Sequence, residues 1–392
     1  MEHDAVLILV SGVLLATGVV ASLVAARLRL PALVVFLAVG MAIGTDGLGW
    51  IDFDDYPLAR LIGTVALVLI LYEGGVGTGL DQIRPVLRSA VSLAVLGTLA
   101  TAAIAGLAAA WLFDFSIREG LLVGAILSAT DGAAVFALLR GSSLRPRLAR
   151  TLEAEAGFND PIAVLLVTAL VDLITHPGYG PLDAALFFGR ELFLGVAVGV
   201  AVGAGAVVAL RRLAVTAPSG LVLVASFAAA GTAFGAAGAI GGSGFLAVYL
   251  AGLVVGTAEI PGKHALEAFH DGLASVSEIG MFLAFGLLVF PSQLGDFMAR
   301  GTVLALVVAL VARPVAAAAA TAFEPHTKAE RLLLAWAGLR GAVPVVLATF
   351  PIIAGVPRSL EFFNIAFFVV LVSTLIQGST VEPLAVRLRL TQ

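Results

Sequence analysis

Residues 150–174 read RTLEAEAGFNDPIAVLLVTALVDLI, a largely apolar stretch long enough to cross a bilayer. Glu155 lies in its first half, and Asn159 and Asp160 stand side by side directly before Pro161. A charged side chain at the centre of a bilayer costs at least roughly 3 kcal/mol, so it marks an ion or proton pathway or a structural ion pair. The stretch therefore predicts a membrane-spanning helix with a functional polar cluster.

The composition of the whole chain agrees with this helix. Of 392 residues, 60% are hydrophobic and only 12% are charged, which excludes an ordinary soluble domain. Cysteine is absent, and the five histidines are scattered, so the sequence offers neither a thiolate site nor a histidine metal cluster. Signatures of phosphate loops, zinc proteases and serine hydrolases are missing from the sequence. We expect an integral membrane protein without a cofactor or a nucleic-acid partner.

Apolar runs of spanning length predict about thirteen transmembrane helices. The expected spans are 5–26, 31–45, 58–78, 86–113, 118–139, 150–174, 187–210, 219–239, 243–258, 272–290, 299–323, 328–353 and 360–386. Alternate connections and the C-terminal tail hold fifteen Lys and Arg residues, against five on the other side. The positive-inside rule then places the N-terminus outside and the C-terminus in the cytoplasm.

The order of the helices suggests two inverted repeats around a linker helix at 187–210. The tetrapeptide FLAV at 36–39 recurs at 245–248, in the short second helix of each half. Polar interruptions at 130–132 (TDG) and 340–342 (RGA) break the fifth helix of each half. Broken helices at corresponding positions point to the midplane site of a transporter, so we expect crossed, discontinuous helices.

A broken helix exposes partial charges at its two inner ends, and fixed side chains must balance them. Asp131 suits the N-terminal ends and Arg340 the C-terminal ends, which makes both of them framework charges, with direct ion ligation by Asp131 as the alternative. The hydroxyl and carbonyl oxygens of Thr130 are hard ligands suited to an alkali cation.

Asp160 is the best candidate for a carrier of cation and proton. Its neighbour Asn159 is neutral, and Pro161 removes a backbone donor beside the carboxylate. Desolvation of a carboxylate lets proton and cation compete for one site. A single carboxylate that holds either ion gives one-for-one, electroneutral exchange.

Other charged residues receive mainly structural interpretations. Glu155 and Asn159 are four residues apart, so Asn159 can hydrogen-bond Glu155 while Arg340 balances its charge. Arg313 precedes a proline and is expected to pair locally at a kink. Glu73 stands near the end of the third helix, where it lines the cation path or the interface.

The motifs together resemble the NhaP-type sodium or potassium/proton antiporters, the electroneutral branch of the cation:proton antiporters. The resemblance is carried by SATD at 128–131, NDP at 159–161 and GLRGAVP at 338–344, and it covers nearly the whole chain. Residues 338–350 and 362–377 resemble the bacterial potassium/proton subgroup most.

This resemblance implies an NhaA/NhaP-like homodimer in the cytoplasmic (inner) membrane. Residues 1–78 and 219–290 would form a dimerisation scaffold, and residues 86–174 and 299–386 a mobile core. The residue matching Asp160 binds the alkali cation in the family, helped by those matching Thr130 and Glu73. Positions matching Glu155, Asn159 and Arg340 form a stabilising network.

Two positions depart from the family pattern, since Gly132 stands where proline is frequent and Ala156 where serine can be a ligand. Members of the potassium subgroup commonly carry cytoplasmic regulatory domains, whereas only 386–392 follow the last expected helix, so we expect such regulation to be missing from this chain. The function that the sequence predicts is electroneutral cation/proton antiport by alternating access. A proton-uncoupled channel or uniporter is the alternative, and an intramembrane aspartyl protease, whose Gly-x-Gly-Asp context is absent here, is a distant one.

Overall fold

The chain folds into a bundle of helices in a computed structural model that describes residues 2–28, 31–130 and 144–391. Within these ranges the structure contains helices and no β-strand. The helices are α1 Glu2–Leu28, α2 Ala32–Ile43, α3 Tyr56–Thr78, α4 Leu80–Phe113, α5 Ile117–Ile126, α6 Pro146–Thr175, α7 Pro181–Thr216, α8 Ser219–Ala239, α9 Gly244–Thr257, α10 Lys263–Leu287, α11 Pro291–Ala320, α12 Lys328–Trp336, α13 Ala342–Ile353 and α14 Ser359–Arg387.

Eight of the described helices are long and apolar enough to cross a membrane, namely α1, α3, α4, α6, α7, α8, α11 and α14. The short helices α2, α9 and α13 are also apolar. The expected all-α polytopic architecture is therefore confirmed, while the number of thirteen spans stays a prediction.

Several helix bounds differ from those expected. The seventh helix was expected at 187–210 but extends over Pro181–Thr216, because a helix continues past its apolar run into the polar interface. The tenth, expected at 272–290, is α10 and begins after Gly262, whose φ of +78° ends the preceding turn. The twelfth, expected as one interrupted segment, is two separate helices, α12 and α13.

Local features of the backbone repeat between the two halves of the chain. Ser116 caps α5 and Thr327 caps α12, each in a capping box with a glutamate three residues later. α4 and α11 each contain a π-helical segment, Leu93–Gly97 and Val308–Ala312. Because π segments are rare in helices, their occurrence in both halves supports the inverted repeat.

Close glycine contacts join one half of the chain to the other. A methyl group added at Gly40 of α2 would lie 2.8 Å from Gly286 Cα of α10. One added at Gly75 of α3 would lie 2.9 Å from the carbonyl carbon of Gly252 in α9. Small residues let helix backbones approach this closely in membranes, and the α2–α10 and α3–α9 pairs are related by the repeat.

Candidate cation and proton site

The end of α5 and the gap between α12 and α13 meet at the guanidinium group of Arg340; the rest of the fifth expected span, from residue 131 onward, lies outside the described residues. α5 ends at Ile126, and the backbone at 128–130 is not helical; α12 and α13 are separated by residues 337–341. Arg340 Nη1 donates to the carbonyl oxygens of Ser128 (2.7 Å) and Ala129 (2.8 Å). Carbonyls at the C-terminal end of a helix carry partial negative charge, so the fully buried Arg340 balances the end of α5.

The backbone around Arg340 is held by polar residues of α14. Ser373 Oγ accepts from the Arg340 amide N–H at 3.2 Å, and Thr374 Oγ1 donates to the Arg340 carbonyl at 2.7 Å. Gln377 Nε2 donates to the carbonyl of Trp336, the last residue of α12, at 3.0 Å. Sequence reasoning overlooked Ser373 and Thr374; polar residues one turn from Gln377 in an apolar helix were the available signal.

Asn159 links α6 to the break of α5. Its Oδ1 accepts from the backbone N–H of Thr130 at 2.7 Å. Its Nδ2 donates to Thr98 Oγ1 of α4 and lies 3.5 Å from the carbonyl oxygen of Ser128. The amide of Asn159 is thus hydrogen-bonded to Thr98 of α4 and to Ser128 and Thr130, which follow α5. The hydrogen bond to Glu155 that the four-residue spacing had suggested is not formed.

The counter-charge of Glu155 is Arg313. Arg313 Nη1 lies 2.9 Å from Glu155 Oε1, and the two side chains are only 1% and 2% exposed. Arg313 Nη2 also donates to the carbonyl of Leu334 in α12 at 3.2 Å. The expected pairing of Glu155 with Arg340 and the local pairing of Arg313 are therefore corrected. The π segment of α11 ends directly before Arg313 and changes the direction of that side chain.

Asp160 is buried on α6, beside Asn159 and near the contact with α9. Pro161 has no N–H, so the carbonyl of Gly157 lacks its donor within the helix. A methyl group at Gly157 would lie 2.6 Å from the hydroxyl of Tyr249, a fully buried residue of α9. Sequence reasoning did not identify Tyr249, whose position shows only in the fold.

The remaining candidate residues lie at different distances from this cluster. Thr130 is buried, and its hydroxyl has no hydrogen-bond partner among the described residues, so it is available to a ligand. Glu73 lies half-buried on α3, a helix that packs against α6. Asp131 lies outside the described residues. Oxygen atoms of carboxylate, hydroxyl and carbonyl groups suit a hard cation.

Comparison with known proteins shows where this arrangement belongs. Residues 12–387 match the family described as sodium/hydrogen exchanger, transmembrane. The chain belongs to the sodium/hydrogen exchanger family. The sequence-based assignment to cation/proton antiporters is thereby confirmed.

Curated members of the family are similar over nearly the whole chain. The K(+)/H(+) antiporter NhaP2 of Shewanella baltica (strain OS223) is 42% identical over 382 residues, which cover 96% of this chain and 66% of that protein. The K(+)/H(+) antiporter NhaP of Alkalimonas amylolytica is 42% identical over 394 residues, 100% of this chain and 68% of that protein. The chain thus spans about two thirds of the length of these relatives.

A solved structure shares the fold. The sodium proton antiporter MjNhaP1 from Methanocaldococcus jannaschii matches with a TM-score of 0.83 at 23% sequence identity, covering 99% of both chains. The NhaP-like fold that the sequence resemblance implied is therefore the fold of this protein.

Proposed function

We propose that this protein exchanges a monovalent cation, potassium or sodium, for a proton across the membrane, and that Asp160 carries both ions in turn. The observation that carries the proposal is the position of Asp160 at 3% exposure, next to the asparagine that accepts from the Thr130 N–H beyond the end of α5. The named relatives, two K(+)/H(+) antiporters, support the same activity.

In this proposal, two charged residues near Asp160 have structural roles. Glu155 is committed to Arg313, and Arg340 donates to the carbonyls at the end of α5. Both residues interact with fixed groups of the protein, so they stabilise the core and do not bind the transported ion. Asp160 alternates between a bound proton and a bound cation, and occupation by either neutralises it for the passage between the two sides.

The stoichiometry follows from the residue beside the carrier. Asn159 is neutral and fully buried, and its amide is occupied by Thr130, Thr98 and Ser128. One titrating carboxylate then exchanges one proton for one monovalent cation, which moves no net charge. Thr130 supplies a hydroxyl ligand, and Glu73 lines the approach of the cation.

The assembly proposed with this function is a homodimer in the bacterial inner membrane, with the N-terminus outside and the C-terminus in the cytoplasm. Residues 1–78 and 219–290 form its scaffold, and residues 86–174 and 299–386 move as the core, with 187–210 as the linker. The glycine-mediated pairs α2–α10 and α3–α9 support a rigid scaffold. Asp131 serves the core as a framework charge.

The test compares Asp160→Asn with the wild type in sealed proteoliposomes, where an imposed gradient of sodium, potassium or lithium drives proton flux. Asp172→Asn is the matched control, because Asp172 is a partly exposed carboxylate near the end of the same helix. We expect Asp160→Asn to abolish flux with every cation and Asp172→Asn to retain it. Full exchange by a folded Asp160→Asn variant would show that the carrier lies elsewhere.

Two further measurements separate the alternatives. A channel or uniporter would pass cations without changing the internal pH, whereas we expect a cation gradient to move protons. Flux that is insensitive to an imposed membrane voltage would support one-for-one exchange, and flux that follows the voltage would contradict it. Relatives named as antiporters give no support to the protease alternative.

A further inference from the structure

Thr98 occupies a special place in α4. It directly follows the π segment Leu93–Gly97 and is fully buried. In the other half of the chain, Arg313 directly follows the π segment Val308–Ala312 of α11. Each of these two residues contacts a polar side chain of α6, Thr98 at Asn159 and Arg313 at Glu155.

The hydroxyl of Thr98 decides which way the amide of Asn159 points. Thr98 Oγ1 donates its hydrogen to the carbonyl oxygen of Ala94, inside the π segment. The oxygen can then only accept a hydrogen bond, so it selects the NH₂ end of the Asn159 amide. The oxygen end of that amide is thereby directed at the backbone N–H of Thr130.

This orientation matters at the break of α5. If the amide of Asn159 were reversed, its NH₂ group would face the N–H of Thr130, and a buried donor would lose its acceptor. Asn159 and Asp160 are neighbours on α6, so the rotation of α6 about its own axis fixes the directions of both side chains. The hydrogen bonds of Asn159 hold α6 in one such rotation, and thereby also fix the direction of Asp160. Thr98 therefore acts on Asp160 and Thr130 through Asn159.

We infer that Thr98 is a positioning residue of the transport site, whose hydroxyl fixes the amide of Asn159 and with it the alignment of Thr130 and Asp160. The inference rests on the proposed antiport function. It assigns to α4 a role in cation affinity, and it does not make Thr98 a ligand of the cation.

The test uses Thr98→Val, which keeps the shape of the side chain and removes its hydroxyl, and Thr98→Ser, which keeps the hydroxyl. Thr101→Val is the matched control, because Thr101 is equally buried in α4 but donates to the carbonyl of Gly97 and not to α6. The readouts are the apparent KM for the cation and the pH profile of exchange in proteoliposomes.

We expect Thr98→Val to raise the apparent KM about tenfold and to shift the pH profile, while Thr98→Ser stays within about twofold of the wild type. Thr101→Val should leave both readouts unchanged even if it lowers thermal stability. A tenfold change corresponds to about 1.4 kcal/mol. Thr98→Ala serves as a second variant without the hydroxyl and is expected to behave like Thr98→Val.

Three results would overturn the inference: a wild-type KM and pH profile in Thr98→Val or Thr98→Ala, a serine variant as impaired as the valine variant, or the same shift in Thr101→Val. The parallel measurement on Asp160→Asn distinguishes failure of the proposed antiport function from failure of the inference about Thr98. An inactive wild type refutes the antiport itself, whereas active wild type, inactive Asp160→Asn and unaltered Thr98→Val refute only the role of Thr98.

Discussion

The buried ion pair between Glu155 and Arg313 allows a quantitative prediction about stability. Arg313 Nη1 lies 2.9 Å from Glu155 Oε1, and both side chains are almost fully buried. Removal of one partner therefore leaves a buried charge that has lost its nearest counter-charge. Breaking such a pair costs about 3–5 kcal/mol. With an unfolding entropy of roughly 2.1 cal/mol/K per residue, a chain of 392 residues loses about 4–6 °C in Tm.

The third charge in the cluster makes the two single variants unequal. Glu155 acts electrostatically on Arg340 as well as on Arg313, and the two guanidinium groups repel each other. Glu155→Gln leaves that repulsion without its carboxylate, whereas Arg313→Met leaves Glu155 with the attraction of Arg340. We therefore expect Glu155→Gln to be the less stable variant. The double variant should be more stable than Glu155→Gln, because it removes both the repulsion and the unpaired charge.

Thermal unfolding of the purified proteins in detergent, followed by the fluorescence of the three tryptophans, measures these differences. Glu382→Gln on the exposed surface of α14 is the control and should leave Tm unchanged. The reasoning is refuted if Glu155→Gln melts with the wild type, if Arg313→Met is the weaker of the two, or if the double variant shows no recovery.

Two further predictions concern packing and pH. Gly75→Ala should lower the free energy of unfolding by about 1–3 kcal/mol, because the new methyl group meets backbone atoms of α9. Gly231→Ala is the control: Gly231 has open space around it, so this variant should be neutral or slightly stabilising. Equal Tm values for both variants would contradict this prediction. Burial, and next the charge of Arg147, lower the pKa of His326 in the loop before α12. The folded protein therefore favours the neutral imidazole. This contribution to stability is present above about pH 6.5, the pKa of a free histidine, and is lost as the pH falls. Tm should thus fall more between roughly pH 7.5 and pH 5.5 in the wild type than in His326→Gln, and parallel pH curves would rule out this contribution.

The sequence predicted the interruption between α12 and α13, and the loss of helical backbone by Thr130, because both features are local; residues 131 and 132 lie outside the described part of the chain. Polar residues and glycine within apolar runs at 130–132 and 340–342 interrupt spanning helices wherever the rest of the chain lies. The role of Arg340 at a C-terminal helix end also followed, because a buried cation needs a partner and carbonyl groups at a break provide one. Both arguments need no knowledge of tertiary contacts.

The partners within the cluster could not be predicted, because they depend on helix azimuth. Spacing arguments assume 3.6 residues per turn, but a π segment adds a residue and turns all later side chains by about 100°. Such segments precede Thr98 and Arg313 and leave no recognisable mark in the sequence. Without knowledge of these segments, the sequence does not show that Arg313 lies against Glu155 or that Thr98 lies against Asn159.

The different residues after the two π segments explain how a symmetric backbone supports an asymmetric site. An arginine in place of Thr98 would put a fixed positive charge beside Asn159, one residue from Asp160, where it would pair with the carboxylate and compete with the cargo cation. A threonine in place of Arg313 would leave Glu155 buried without its nearest counter-charge. The proposed antiport therefore needs a neutral residue at the first position and a charged one at the second. The repeat gives both halves the same backbone geometry, and the proposed function requires different residues at the two positions.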